Sequence, residues 1–313
     1  MSSLNEIKTR ISSVRNTLKI TSAMKMVASA KLHKAQTAIG NKLPYEQKLR
    51  GILSGLLQSD DLRDALAKEF GFGRKGDGRS PVVLQDVAAE GLPLKVDAER
   101  IAIVVFSSNS SLCGAFNSNV VRKFNETVEE LSLRGYSHED IDVYAVGRKA
   151  ADAAEKDGIT LKGNFPYMAD KPSYDHAADL ASGLIDSFTD GEVSQVILIY
   201  SHFASPASQP VVRENYLPMS LNETGSSTEP QDYILEPDPM TLVKELLPKV
   251  LFLKIFTVLL DANAAEHAAR TLAMQIATDN ASDLISELTL AYNKGRQQEI
   301  TAEILDLIGG TMA

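Results

Sequence analysis

The chain has 313 residues, of which 44% are hydrophobic, so it is long enough for one or two domains with an ordinary core. Its single cysteine, Cys113, excludes an intrachain disulfide, and its formal net charge of −9 argues against nucleic-acid binding. The longest apolar stretch, residues 250–260, contains Lys254 and is too short to span a bilayer, and the N-terminus begins with charged helical sequence instead of an apolar leader. We therefore expect a soluble protein, which leaves attachment to a membrane complex open.

The N-terminal segment, residues 3–39, predicts a long helix with no proline or glycine inside it. Apolar or small residues recur along it at alternating spacings of three and four, the heptad pattern of a helix that packs against another helix. The predicted coiled-coil seam begins with Leu4, Ile7, Ile11, Val14 and Leu18. Gly40 and Pro44 predict a kink or a break, after which residues 45–58 return to a helical pattern; we take residues 1–58 as one coiled-coil segment.

The middle of the chain predicts an insert followed by an α/β domain. Residues 59–99 are an insert or linker, whose glycine- and charge-rich part predicts a solvated loop. Over residues 100–221, apolar strands alternate with helical segments, which predicts a Rossmann-like domain with a parallel sheet. The strands are predicted at 101–106, 141–146 and 196–200, with an edge strand at 211–219, and the helices at 115–134, 148–157 and 174–188. Residues 222–240 form a polar connector.

The C-terminal segment, residues 241–313, predicts a second long helix that starts near Asp238 and Pro239. If it is unbroken to residue 308, it is about 100 Å long, whereas an ordinary globular helix has about three turns. Dense polar residues at 293–301 predict a helix end that contacts partner subunits, with a solvated helix end as the alternative. Two long helices at the two ends of the chain thus predict a rod that grows out of a small α/β domain.

Candidate chemistry is sparse. The turn at residues 107–117 follows the first predicted strand, where a doubly wound sheet holds a phosphate, but it lacks the spaced glycines of a dinucleotide-binding turn and the P-loop sequence. We expect a serine-capped helix start there instead. Cys113 has no histidine near it in sequence and is expected to be packed and inert. The histidines show no metal-ligand spacing, so no catalytic residue, cofactor or metal is expected.

Charge is distributed unevenly along the chain. Residues 1–50 hold ten Lys and Arg and two acids, a net of +8, whereas residues 51–240 hold 16 and 30, a net of −14, and residues 241–313 hold six and nine, a net of −3. An acidic partner helix of the same chain accounts for only part of the positive charge at the N-terminus. The surplus indicates an acidic surface on another protein.

Three parts of the sequence resemble a known family. Residues 11–32 are similar to the N-terminal signature of the gamma subunits of F-type ATP synthases. Residues 266–270 through Met274, together with 277–281 and 292–303, resemble the C-terminal signature of that family, and residues 112–117 resemble its mid-chain motif. The resemblance covers both predicted helices fully and the α/β domain in outline.

The resemblance implies that the chain is the central rotor shaft, a non-catalytic subunit that couples ion flow through a membrane ring to conformational cycling of the catalytic beta subunits. Its terminal helices would form an antiparallel coiled coil inside a ring of alpha and beta subunits, while the α/β domain would contact the epsilon subunit and the ring of c subunits. By resemblance, the partner-contact positions are Arg296, Gln297 and Thr301 against a loop of the beta subunit, Met24 and Lys25 against its acidic lever, and Arg270 at a contact of the coiled coil.

The chain departs from the family pattern in two places. Residues 109–111 are Asn-Ser-Ser, where the family usually has a charged Asp-Arg-Gly. The insert near residues 60–95 is longer than expected for the family, and it lacks the paired cysteines of the chloroplast type. Since no transit peptide is visible, we expect a bacterial enzyme, peripheral on the cytoplasmic face of the inner membrane. The coupling ion, proton or sodium, is left open.

Two other classes of protein are alternatives. A Rossmann-type enzyme with a helical dimerisation arm would favour a glycine-rich phosphate turn, which the sequence lacks. A free-standing coiled-coil adaptor would favour a uniform apolar seam, which the polar residues at 293–301 contradict. Both alternatives are therefore less favoured than the rotor shaft.

Overall fold

The computed structural model describes residues 4–56, 82–83, 100–220, 236 and 238–311. Its helices are α1 (Leu4–Leu56), α2 (Phe116–Leu133), α3 (Arg148–Lys156), α4 (Pro166–Asp170), α5 (Tyr174–Thr189) and α6 (Pro239–Thr311). Its strands are β1 (Val82–Val83), β2 (Arg100–Phe106), β3 (Ile141–Val146), β4 (Thr160–Asn164), β5 (Val193–Ser201), β6 (Val211–Leu217) and β7 (Met219–Ser220). The chain divides into two units, one of Met1–Ala30 with Arg270–Ala313 and the other of Lys31–Ala269.

In the first unit, the beginning of α1 pairs with the last part of α6. Leu4 covers Gly295 so closely that a Cβ on this glycine would lie 2.9 Å from Leu4 Cδ2. Further along, the Thr278 hydroxyl donates a hydrogen bond to Thr21 Oγ1 at 3.0 Å. From the first contact to the second, the chain advances along α1 by as many residues as it retreats along α6. The two helices therefore run antiparallel in one register.

The second unit is built on a five-stranded sheet with the order β4-β3-β2-β5-β6. The first four strands are parallel, and β6 pairs antiparallel with β5 at one edge. Strands β2 and β5 are buried along nearly their whole length, which explains their continuous apolar sequences, because both faces of a central parallel strand are covered. The predicted Rossmann-like α/β class is confirmed, with an antiparallel edge strand.

The two faces of the sheet bury two different cores. Alternate residues of β2 divide between them, because successive side chains of a strand point to opposite faces. Ala102, Val104 and Phe106 pack against α5 and against the parts of α1 and α6 that belong to this unit, whereas Ile101 and Ile103 pack against α2 and α3. Each of the two long helices thus contributes apolar residues to the sheet domain as well as to the antiparallel pair.

The predicted start of the last helix is confirmed in detail. Helix α6 begins at Pro239, and the carboxylate of Asp238 accepts hydrogen bonds from the Thr241 backbone N–H at 3.0 Å and from the Thr241 hydroxyl at 2.7 Å. These hydrogen bonds lower the pKa of Asp238 below its usual value. The pair is a capping aspartate followed by proline at the first helical position, where a missing N–H costs nothing.

Of the kink or break predicted near Gly40 and Pro44, the break is wrong, because α1 continues through both residues, and the kink stays a prediction. Proline removes the hydrogen bond to the carbonyl four residues earlier, which is that of Gly40. Both residues are exposed, so water can satisfy this carbonyl. On either side, the helix is held by buried residues, Ala35 before the proline and Leu53 after it. Tertiary packing therefore overrides the local signal.

The sequence analysis also missed two elements of the sheet domain. The edge strand β4 has alternating exposed and half-buried residues and contains Gly163, so it lacks the apolar run that marks the central strands. The short helix α4 was not predicted either. Except for β1, the predicted insert at 59–99 lies outside the described residues, and β1 pairs in parallel with β7. Most of the connector at 222–240 lies outside them too.

Candidate functional site

The last part of α6 presents a polar surface. Arg296, Gln297 and Thr301 are all exposed, and the Thr301 hydroxyl donates to the backbone carbonyl of Gln297 at 2.7 Å. One helical turn separates Gln297 from Thr301, so these two residues share a face, and Arg296 lies beside it. A guanidinium can donate two parallel hydrogen bonds to one carboxylate. This surface can therefore bind a polar and partly acidic surface of another chain.

The first unit also exposes large apolar side chains. On α1, Ile20, Met26 and Val27 are between 59% and 65% exposed, and on α6, Leu290 is 73% exposed and Leu305 is 63% exposed. By contrast, several residues that are buried in this unit are small: Thr21, Ala28 and Ala281. The exposed apolar side chains are spread along the two helices, and a partner that surrounded the pair would cover them. The two helices thus expose large apolar side chains in addition to the residues that they bury against each other.

The α1 part of the first unit is strongly basic. Residues 4–30 contain five Lys and Arg and one acid. Lys8, Arg10, Arg15 and Lys19 are exposed, and Lys25 is half-buried. Exposed charges of one sign attract a surface of the opposite sign and speed its association. This helix is therefore suited to an acidic partner.

In the second unit, the crevice where a doubly wound sheet would bind a ligand lies between β2 and β5, because the strand order reverses there. Phe203, which follows β5, fills this crevice. It packs against Ala264 and Ala268 in one apolar cluster, together with Leu32 and Ala35 of α1. In a second cluster it packs with Cys113 and Phe116 against Ala265 and Ala269. The alanine-rich part of α6 thus occupies the position of a ligand.

The backbone N–H groups at the start of α3 are also occupied. Those of Arg148, Lys149 and Ala150 donate to Asn109 Oδ1 at 3.0 Å, to the Ser108 carbonyl at 3.2 Å and to Ser107 Oγ at 2.8 Å. A phosphate at a helix start is held by such free N–H groups, and here the β2 turn takes them. The Asn109 amide in turn donates to the Asp170 carboxylate at 2.7 Å, which brings a negative charge next to the turn.

The predicted serine cap lies on a different helix from the one expected. Helix α2, which follows the turn at 107–117, has Ala115 at its N-cap without a side-chain hydrogen bond. Ser107 instead caps α3, because the sheet brings the end of β2 beside the end of β3. Cys113 is buried, and the Asn117 amide donates to its sulfur at 3.1 Å. This thiol is packed among apolar side chains, as expected.

Within residues 4–56, 100–220 and 238–311, none of the helices combines the length and the apolar character that a membrane crossing requires. In the part of the chain that the structure describes, no group of three or more His, Cys, Asp or Glu side chains could hold a metal ion.

Comparison with known proteins gives the family. A family model described as ATP synthase matches residues 3–313. The ATP synthase gamma chain of Phocaeicola vulgatus is 49% identical to this chain over 316 residues, and that of Bacteroides fragilis is 51% identical over 317 residues. Both alignments cover 100% of this chain and 100% of the relative. The chain belongs to the ATP synthase gamma chain family.

Two solved structures have a similar fold. A chain of the Euglena gracilis mitochondrial ATP synthase, from its OSCP/F1/c-ring assembly in rotational state 3, has a TM-score of 0.61 and 20% identity and covers 99% of this chain and 94% of its own. A chain of the same organism's rotor in rotational state 1 has a TM-score of 0.60 and 19% identity and covers 95% and 98%. At such identities the likeness shows the fold alone. Long terminal helices around an α/β domain are thus a shared architecture.

The residues predicted to contact the beta subunit or to form the coiled-coil seam differ in how exposed they are to solvent. Met24, Lys25 and Arg270 are half-buried, whereas Arg296, Gln297 and Thr301 are exposed. Of the predicted seam, Ile11 is buried, and Leu4, Ile7, Val14 and Leu18 are half-buried. All of these residues lie in the first unit. Their contacts with other subunits stay predictions.

Two polar contacts of this gamma chain were not predicted from its sequence. His202 Nδ1 lies 2.6 Å from Asp261 Oδ2, and Asp261 Oδ1 accepts from the Phe203 backbone N–H at 2.9 Å, which fixes the residue that fills the crevice. The Lys254 ammonium lies 2.7 Å from Glu214 Oε1. Such pairs join residues far apart in sequence, so no spacing rule could have found them. The one available signal was the presence of a lysine inside an otherwise apolar stretch.

Proposed function

We propose that this gamma chain is the central rotor shaft of an F-type ATP synthase. In this proposal, ion flow through a membrane ring turns the shaft, and the turning shaft changes the conformation of each catalytic beta subunit in sequence. The observation that carries the proposal is the antiparallel helix pair of the first unit, whose exposed surface is at once basic, apolar and polar at its end. A shaft needs such a surface because it is surrounded by partners.

The proposed partners follow from this surface and from the family. Alpha and beta subunits surround the helix pair, with an acidic beta surface facing the basic residues of α1 and a beta loop facing Arg296, Gln297 and Thr301. The epsilon subunit and the ring of c subunits bind the α/β domain. The complex holds the chain at the cytoplasmic face of the bacterial inner membrane as a peripheral subunit. Complementary charge favours the first of these contacts.

The proposed role is not catalytic. In support, the crevice between β2 and β5 is filled by Phe203 and by alanines of α6, and the N–H groups at the start of α3 are occupied by Ser107, Ser108 and Asn109. A nucleotide would have to displace a helix and three hydrogen bonds to bind there. The alternative of a Rossmann-type enzyme with a helical arm is not favoured.

The test is the double substitution Arg296→Ala with Gln297→Ala in the reconstituted ATP synthase. If the exposed face contacts the beta subunit, each side chain makes contacts that change as the shaft turns, and only such differential contacts can shift the beta conformations. We expect Arg296→Ala alone to cost about 2–3 kcal/mol of contact free energy, since a paired guanidinium is lost. The exposed control Lys294→Ala should cost about 0.5 kcal/mol or less.

The measurements are ATP hydrolysis and ATP-driven ion pumping, with assembly of the complex checked first. We expect both rates to fall in the double variant and to stay near wild type in Lys294→Ala. If the double variant assembles fully and both rates are unchanged, this polar face is only a solvated helix end.

A further inference from the structure

A cluster of charged side chains is enclosed in the second unit where α1, β6 and α6 meet. The ammonium of Lys254 on α6 lies 2.7 Å from Glu214 Oε1 on β6, and the two side chains are only 17% and 20% exposed. The hydroxyl of Tyr200 on β5 donates to the other oxygen of Glu214 at 3.0 Å. Burial, followed by the negative charge of Glu214, raises the pKa of Tyr200. Tyr200 therefore stays a neutral donor and fixes the orientation of Glu214.

Helix α1 contributes two more charges to this cluster. Glu46 is 5% exposed, and burial raises the pKa of its carboxyl, while the charges of Lys254 and Arg50 oppose the rise. Arg50 is half-buried on the same helix, one turn further on. Two carboxylates and two cations thus balance, and they come from both long helices and from the sheet. We call Glu46, Arg50, Glu214 and Lys254 the ionic cluster.

The packing around the ionic cluster is apolar and carries little information about register. Residues 250–260 of α6 contain Lys254 as their single charged residue, and the remainder are large apolar residues with one threonine. If α6 slid along the sheet by one helical turn, leucine, isoleucine, valine or phenylalanine would replace one another in most contacts. Burial of apolar area changes little in such a slide. The contact between Lys254 and Glu214 would be lost in such a slide, because it is directional. The contacts of Asp261 with His202 and with the Phe203 N–H, at the other end of this segment, would be lost as well.

We propose that the Lys254–Glu214 pair is a register lock that fixes α6 to the sheet domain. The inference rests on the proposed function, in which torque enters at the sheet domain and leaves along the helices. In the lock, Lys254 and Glu214 are positioning residues: they touch no substrate, and they set the register in which the sheet domain holds α6. A buried ion pair adds little stability compared with apolar residues of the same size, and its best-attested role is to specify register.

The test separates register from stability. In Lys254→Met with Glu214→Gln, the ion pair is gone, the Gln oxygen still accepts from Tyr200, and Glu46 and Arg50 remain balanced. The matched control is Lys249→Met on the same helix, which breaks an exposed pair with Glu245 at 3.7 Å. Each variant is built into the complete ATP synthase in membrane vesicles. ATP hydrolysis, ion pumping by a voltage-sensitive dye, and the melting temperature of the complex are measured.

We expect the pair variant to melt close to wild type and to hydrolyse ATP, while the ions pumped per ATP fall about twofold or more. A bead attached to the sheet domain should show a wider distribution of angles in its catalytic dwells. Lys249→Met should match wild type in every measurement. If the pair variant fails to assemble, Lys254→Leu with Glu214→Gln takes its place, because it also removes the ion pair without leaving an unpaired charge, and the same loss of coupling is expected.

The inference is overturned if the pair variant, or Lys254→Leu with Glu214→Gln in its place, pumps as many ions per ATP as wild type. A second assay is run at a temperature lowered by as many degrees as the melting temperature of the variant falls below that of wild type. The inference is also overturned if the number of ions pumped per ATP returns fully to the wild-type value at this temperature, since the pair would then act through stability alone. Failure of the proposed function looks different. In that case, adding the wild-type chain to a complex depleted of it would not restore ATP-driven pumping at all.

Discussion

Substitution of Gly147 by alanine tests how tightly the end of β2 is joined to the start of α3. Gly147 has φ +107° and ψ 144°, a backbone conformation that only glycine adopts readily, and a side chain there costs about 1–3 kcal/mol in strain. The added Cβ would lie 2.2 Å from the Ser107 carbonyl oxygen and 2.7 Å from its carbon. These are backbone atoms of a buried strand end, so they cannot rotate away.

The clash adds to the strain. Ser107 donates its backbone N–H to the Val146 carbonyl at 2.8 Å and accepts from the Ala150 N–H at 2.8 Å, so moving it away weakens two hydrogen bonds. Overpacking of this kind costs about 1–3 kcal/mol, and loss of a helix cap costs about 1 kcal/mol. We therefore expect Gly147→Ala to lower the free energy of unfolding by about 3–7 kcal/mol.

Two other glycines serve as controls. Gly158 has φ +69° but open space around it, so Gly158→Ala should cost only the strain of the left-handed region, about 1–2 kcal/mol. Gly183 lies inside α5 with nothing within 4 Å, so Gly183→Ala should stabilise by about 0.5–1 kcal/mol.

The assay is urea unfolding of the full chain followed by near-UV circular dichroism of its tyrosines, since the chain has no tryptophan. Several tyrosines, among them Tyr136 and Tyr216, are buried in the sheet domain, so the signal reports its packing. From the most to the least stable, we expect the order Gly183→Ala, wild type, Gly158→Ala and Gly147→Ala. A Gly147→Ala chain no less stable than Gly158→Ala would refute the reasoning.

Three further predictions concern the seam, the filled crevice and the ionic cluster. Leu18→Asp should destabilise the chain by about 2–4 kcal/mol, because it places a charge at a half-buried position, whereas the exposed Lys8→Ala should stay within about 0.5 kcal/mol in thermal melts. Equilibrium dialysis of the isolated chain should show no micromolar binding of ATP, and binding at that level would show that the crevice opens. Burial raises the pKa of Glu46 above 4.5, so its favourable contribution is present below pH 4.5 and is lost as pH rises through the raised value. The stability of Glu46→Gln relative to wild type should therefore increase from pH 4.5 towards neutral pH, and a constant difference would mean that Glu46 does not titrate abnormally.

Local sequence signals predicted the elements that are either long or fully buried. The helices around residues 120 and 150 and the strand at Ile141–Val146 appear where apolar period and turn residues placed them, and Asp238 caps α6 as expected. The predictions that failed concern exposed or exceptional positions. Pro44 does not break α1, because buried residues on both sides hold the helix, and β4 carries too few apolar residues to be recognised as a strand.

The sequence by itself determined that this chain has two long terminal helices with a parallel α/β domain between them, because repeats of apolar residues at helical and strand periods are local properties. It also determined the family, through motifs at both ends. Only the tertiary structure decided which residues that are far apart in sequence contact each other. The pairing of Leu4 with Gly295, the filling of the crevice by Phe203 and the contact of Lys254 with Glu214 each join residues far apart in sequence. Such contacts depend on the register of packed elements, and no local pattern specifies it.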